Sequence, residues 1–239
     1  DEYSRYHLSI AHHFVSNAES RIALANDSRT TRERAVQILD DLVKEFPDKI
    51  KYRFDLFLNC MHLGHSYADD RQLECWHKAL ENIQYVCNQS PDNPAYLDAM
   101  NAMLATMSHA YTYVDTDKAR KYGEEALAQT EKLVAKYPDR PLYRKYIFQS
   151  HQSLGRVAAC CGSLPETIEH FELSLRAFKE MEEFLPTLGE RCEHELNIRT
   201  TYIESLQKFD DLDRMIPIIE SCWPLLDGLE EWFPGDRVR

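Results

Sequence analysis

The sequence predicts an all-α fold, an α-α superhelix of five antiparallel helix pairs. Three observations carry this. Proline recurs in register at Pro47, Pro91, Pro138, Pro186 and Pro234, with steps of 44, 47, 48 and 48 residues. A small side chain stands twelve residues before each proline (Ala35, Ala79, Ala126, Ser174, Cys222) and a large apolar one five before (Leu42, Val86, Leu133, Met181, Leu229). Only seven glycines and ten prolines occur in 239 residues, too few for the tight turns of an all-β protein. Small residues between large ones at helical spacing let two helices approach ridge into groove, so each unit reads as a helical hairpin.

The elements follow in order. Five residues after the first three prolines stands an aromatic (Tyr52, Tyr96, Tyr143), and seventeen after them stands Gly64, Ser108 or Gly155, each preceded by Leu63, Met107 or Leu154. Pro94 and Pro141 occupy first-turn positions where a missing N–H costs nothing, which places the unit proline in the turn before helix A. Helix A is expected at roughly 4–24, 50–67, 93–113, 140–161 and 188–208, and helix B at roughly 31–46, 70–89, 116–137, 164–184 and 212–233. Thr30 with Glu33, Asp69 with Gln72 and Ser163 with Glu166 have capping-box spacing at three helix B starts. Pro217 and Pro224 fall inside the last helix, which is expected to start late or kink. The units run 1–46, 47–90, 91–137, 138–185 and 186–234, within one repeat domain, 1–239.

Leu63-Gly64-x-x-Tyr67, Ala79 and Pro91 together resemble the tetratricopeptide (TPR) repeat, with Met107-Ser108-x-x-Tyr111 and Leu154-Gly155-x-x-Ala158 as partial copies. The unit here exceeds the family's 34 residues, so both helices carry extra turns. The chain is more similar to the long-unit arrays that follow the catalytic domain of planctomycete-type bacterial Ser/Thr protein kinases. Phe46-Pro47-Asp48 with Tyr52-Arg53, and Tyr137-Pro138-Asp139 with Tyr143-Arg144, Ser150-His151 and Leu154-Gly155, carry that likeness. The resemblance implies a non-catalytic module that recruits or regulates a protein partner in a signalling protein. No kinase phosphate loop or His-Arg-Asp is present.

Charge and cysteine usage narrow the setting. The formal net charge of −12 disfavours nucleic acid and anionic membranes as partners. Seven irregularly spaced cysteines fit reduced thiols, and no export signal or long apolar run appears, so the expected location is the cytoplasm with no membrane insertion. The repeat register at both ends, with no Met before Asp1, is expected of a fragment of a longer chain.

Candidate chemistry is confined to a few clusters. Cys60, His62, His65, Cys75 and His77 lie close in sequence but match no familiar zinc spacing, so packing and surface histidines are the expected reading and no metal or cofactor is assigned. Cys160-Cys161 reads as small core or groove residues, since nothing basic beside it lowers a thiol pKa. His194-Glu195 lacks the second His of a helical metalloprotease. Residues 166–195 hold nine Glu against three Lys or Arg, a solvated acidic stretch or a lure for a basic segment.

The remaining candidate is a groove for a protein or peptide. Within the resemblance, helix A lines the concave side, and the residue after the Gly/Ser position points into it. That row is Asn17, His65, His109, Arg156 and Glu204; one turn earlier come His13, Met61, Ala105, Gln152 and Thr200. The site expected to bind a partner is therefore His13, Asn17, His65, His109, Gln152, Arg156 and Glu204, polar and partly cationic along its middle, as an extended acidic or carbonyl-rich peptide requires. The row lacks the Lys and Asn positions of the chaperone-tail carboxylate clamp. A competing reading is a ligand-binding or enzymatic α-solenoid using His65, His109, His151 and nearby thiols; a third is an array that dimerises through its ends.

Overall fold

The computed structural model describes residues 1–21, 25–140 and 142–232. Its α-helices are α1 (Glu2–Arg21), α2 (Ala25–Glu45), α3 (Ile50–His65), α4 (Arg71–Gln89), α5 (Pro94–Tyr111), α6 (Thr116–Lys136), α7 (Leu142–Cys160), α8 (Leu164–Lys179), α9 (Leu188–Leu206), α10 (Leu212–Glu220) and α11 (Trp223–Trp232). Among the described residues there is no strand. The fold is all-α, sequential antiparallel pairs, as the proline register predicts. Two compact bodies divide it inside α5, the first Asp1–Met103 and the second from Leu104 onward.

The repeated residues do repeated work. At the first three unit boundaries the chain makes the same Pro-Asp turn, closed by Lys49 N–H to Phe46 O at 3.1 Å, Asn93 N–H to Ser90 O at 3.2 Å and Arg140 N–H to Tyr137 O at 3.0 Å. Proline fixes φ at the second turn position and bars the preceding residue from helix, which ends helix B there. The aromatic five residues on folds back over the turn: Tyr52 lies 6.4 Å from Phe46 and Tyr143 5.8 Å from Tyr137, ring to ring. Ala35, Ala79, Ala126, Ser174 and Cys222 are all buried, as are Leu42, Val86, Leu133 and Met181, while Leu229 is half-buried. Pro141 and Pro234 lie outside the described residues.

In the first body α1 pairs with α2 and α3 with α4, and α2 packs on α3. In the second, α7 pairs with α8, α6 packs on α7, and α9 packs on α7, α8, α10 and α11. Phe148, Phe171, Phe178, Ile198, Tyr202 and Leu206 form the main core there, with Phe171 and Tyr202 stacked at 4.7 Å.

The Gly/Ser position is where helix A meets its own helix B. A Cβ on Gly64 would come within 2.3 Å of Trp76 and one on Gly155 within 2.7 Å of Phe171. Where serine replaces glycine, its hydroxyl bonds across the hairpin instead, Ser16 to Ser28 O and Ser108 to Ala119 O, each at 2.9 Å.

Several boundaries differ from expectation. α2 begins at Ala25, not near 31, so Thr30 is interior and its hydroxyl donates to Asn26 O at 3.1 Å rather than capping. Ser163 makes no side-chain cap, because Pro165 removes one of the two backbone donors a cap would use. Asp70, not Asp69, is the cap residue of α4, and Gln72 turns back to Tyr67 O at 2.9 Å. Side-chain caps form instead at Asp115, Thr187 and Asp211. α8 stops at Lys179 and gives way to a short 3-10 turn over Glu182–Phe184, since Leu185 precedes Pro186 and is extended. The last helix does more than kink. It divides at Ser221-Cys222, where Pro224 lacks the N–H that would continue α10, whereas Pro217 is tolerated within α10.

Candidate partner-binding face

In the first body, His13 and Asn17 lie on one face of α1 and join a directed hydrogen-bond chain. Arg32 Nη2 donates to Asn17 Oδ1 at 2.7 Å, Asn17 Nδ2 lies 3.0 Å from His13 Nε2, and His13 Nδ1 lies 3.1 Å from Asn59 Oδ1. Asn59 in turn donates from Nδ2 to Asp55 O at 2.8 Å. With both amides in these orientations, His13 accepts at Nε2 and donates from Nδ1, which is the neutral tautomer. The chain links α1 to the next helix A, α3. Tyr6, whose hydroxyl donates to Asp55 Oδ2 at 2.7 Å, adds a second link. His65, exposed at the end of α3, packs its ring edge-on to Trp76 at 5.2 Å.

In the second body, His109 is exposed at the end of α5 and Arg156 half-buried on α7. The two interact: the His109 imidazole is pushed below its ordinary pKa, first by burial of part of the ring and then by the Arg156 charge. Arg156 Nη2 also donates to the Tyr113 hydroxyl at 3.5 Å. Gln152, one turn earlier, donates from Nε2 to Asn197 Oδ1 at 2.8 Å and Thr201 Oγ1 at 2.9 Å on α9. Glu204 is exposed on α9. His65 in the first body and His109 in the second are both pushed down by desolvation, so at neutral pH each presents a neutral imidazole, and His109 has the Arg156 charge near it.

Three residues of these faces were not legible in the helix A register. Arg32 belongs to helix B. Tyr113, 70% exposed, follows the end of α5, and Lys208 follows α9, its ammonium 5.2 Å from the Tyr113 ring. Lys208 also corrects the reading of the vicinal cysteines. Its Nζ lies 2.9 Å from Cys160 Sγ, and Arg120 hydrogen-bonds Cys161, so folding brings basic groups to the thiols from residues distant in sequence.

The other clusters disperse. Cys60 is buried, its thiol pushed up to about 12 by desolvation, whereas His62, His65 and His77 are exposed. Among the described residues no three His, Cys, Asp or Glu side chains converge as metal ligands would. His151 pairs with His170, Nδ1 to Nδ1 at 3.2 Å, while His109 feels the charge of Arg156. The acidic stretch is partly used internally: Glu166 bridges to Arg120 at 2.8 Å, and Glu195 is buried between Lys179 and Arg199. No helix among the described residues is long and apolar enough to cross a membrane.

The chain is all-α, built of sequential antiparallel helix pairs. No protein family profile matches it, and no curated protein matches it. Among solved structures it is similar to a thermophilic TPR protein of Thermus thermophilus, at 16% identity and a TM-score of 0.42, over 99% of this chain and 93% of that one. At so low a score the fold class rests on the helix pairing itself.

Proposed function

We propose that this chain is a non-catalytic protein–protein interaction module, an array that holds a protein or peptide against the polar faces of its helix A elements. The observation that supports this is the lateral polar linkage of successive helix A elements: His13 to Asn59 from α1 to α3, Gln152 to Asn197 and Thr201 from α7 to α9. Such linkage holds the polar side chains of neighbouring units in fixed register without enclosing them. A peptide laid across them meets pre-ordered donors and acceptors, which lowers the cost of ordering on binding.

On the strength of the Pro-Asp and Tyr-Arg repeats, the array belongs to the long-unit variety attached to bacterial Ser/Thr kinases, and it works in the cytoplasm without metal or cofactor. Its surface chemistry suits a protein ligand, with neutral imidazoles, one guanidinium and amides. The test is affinity capture with this chain as bait, repeated with His65→Glu combined with His109→Glu. A partner retained by the parent chain and lost by a variant of unchanged melting temperature supports the reading; equal capture by both sinks it.

A further inference from the structure

Arg32 breaks the rule of its own repeat. Three residues before the small position, helix B carries Trp76 in the second unit, Gly123 in the third and Phe171 in the fourth, residues without charge that pack inside their hairpins. The first unit places an arginine there, and it is only 5% exposed. Buried arginines are ordinarily paired with a carboxylate, because an uncompensated charge in a desolvated place costs several kcal/mol. Among the described residues Arg32 makes one hydrogen bond, Nη2 to Asn17 Oδ1, and its Nη1 is buried with no hydrogen-bond partner.

The guanidinium lies at a pocket of about 340 Å³ lined by Asn17, Ser20, Arg21, Ser28, Arg29, Arg32, His62 and Ser66, at the small end of ligand pockets. Three guanidinium groups and an imidazole meet there with three hydroxyls and no carboxylate. Asp69, whose charge is felt by Arg29, is itself engaged two-pronged by Arg71, with Nη2 to Oδ2 at 2.7 Å. His62 is held down to about 4, by desolvation first and by the Arg32 charge next, as expected where positive charge stands uncompensated. Asn17, His13 and Asn59 hold Arg32 through their directed chain, so the guanidinium is pre-ordered with its Nη1 left without a partner.

The geometry points to an oxyanion site: this pocket takes a phosphoryl group, with Arg32 as its fixed anchor and Arg21 and Arg29 closing on it from the rim. A phosphoryl group fits better than a carboxylate. Its three or four oxygens can accept from several guanidinium forks at once and its charge approaches −2, whereas a carboxylate offers two oxygens and one charge. The surrounding chain is strongly acidic, so three arginines around one pocket with no carboxylate among its lining residues is a departure that general surface charge does not explain.

Because Asn17 belongs to the proposed partner face, the site deepens that reading when the phosphoryl group is carried by a protein, but phosphate binding is measured directly and stands or falls without any partner. Two probes are titrated into the full chain by calorimetry, inorganic phosphate and N-acetyl-phosphoserine N-methylamide, with melting temperature followed against chloride of equal ionic strength. The expected result is saturable binding at one site and a melting temperature that rises with ligand. Arg32→Met should abolish both, and it should raise the melting temperature of the unliganded protein, because an unpaired buried charge is replaced by an apolar chain of similar length. Arg29→Gln, at the rim, should weaken binding roughly tenfold or more with little change in unliganded stability, and it decides the matter if Arg32→Met does not fold. Capped phosphoserine binding roughly tenfold tighter than phosphate assigns the site to a phosphorylated protein side chain; equal or tighter binding of free phosphate assigns it to the ion. Absence of saturable binding by either probe, binding undiminished in Arg29→Gln, or acetate binding as well as phosphate would overturn the proposal.

Discussion

Gly64 lies where any Cβ would come within 2.3 Å of Trp76 Nε1, and the same indole nitrogen donates to Met61 O at 3.2 Å, one turn back on α3. The glycine is thus a receptor for a ring that a hydrogen bond holds in place.

Gly64→Ala is therefore expected to lower stability by about 1 to 3 kcal/mol, since Trp76 must move and its bond to Met61 weaken, while the helix-propensity gain of up to about 1 kcal/mol offsets only part of this. Denaturant unfolding followed by tryptophan fluorescence measures it. Gly155→Ala, facing Phe171 at 2.7 Å, should behave alike. A more stable Gly64→Ala protein would show that the close approach is not a constraint.

The register of glycine, small residue and proline was legible because packing between two helices forces those residue sizes at fixed spacing, and the Pro-Asp turn repeats for the same reason. Helix ends were less legible. Thr30 and Ser163 have the composition of caps, but the extension of α2 beyond the motif decided the outcome in one case and Pro165, within the four-residue motif, in the other. The polar row was read from the repeat register. Its charges were not, because the depression of His65 and His109 depends on burial, and Lys208 reaches Cys160 across 48 residues of sequence.

His151 and His170 give the stability a defined pH dependence. Their Nδ1 atoms are 3.2 Å apart, a contact that needs at least one neutral ring, and both imidazoles are depressed by burial first, His151 to about 4 with the His170 charge as its second cause, while Glu169 and Glu166 pull His170 back the other way. The unfolded chain binds protons near pH 6.5 and the folded chain does not, so the stabilisation is full above that value and is lost as pH falls from about 6.5 to about 4. On the order of 2 kcal/mol should disappear across that window, and His151→Gln should flatten the curve of melting temperature against pH. Equal slopes in the two proteins would count against the pair.

Glu195 tests whether the acidic stretch is merely solvated. It is 5% exposed and pairs with Arg199 and, at 3.3 Å, with Lys179. Glu195→Ala strands the Arg199 guanidinium, whose Nε already lacks a partner, and should cost about 3 to 5 kcal/mol in denaturant unfolding. Glu190→Ala, an exposed acid on the first turn of the same helix, should cost well under 1 kcal/mol. Similar losses for the two would mean that Glu195 is no more structural than its exposed neighbours.

The adjacency of His109 and Arg156 can be read from a titration. Burial is the larger cause of the depressed His109 pKa and the Arg156 charge the second. Arg156→Gln removes only the second, so the His109 pKa should rise part of the way towards 6.5 and stay below it. Arg156→Glu replaces repulsion with attraction and should carry it further in the same direction. Ring carbon and proton shifts of His109 followed by NMR give both values. Neither substitution should change stability by more than about 0.5 kcal/mol, because Arg156 contributes only a long hydrogen bond to Tyr113. The order parent, Gln, Glu in rising pKa is what neighbouring side chains on α5 and α7 require. A His109 pKa that stays put in both variants would separate the two residues and remove the central pair from the proposed face. The same order fixes how an acidic peptide should respond to pH: binding strengthens only as pH drops through the depressed His109 pKa, when a second cation joins Arg156, and Arg156→Gln shifts that onset to higher pH.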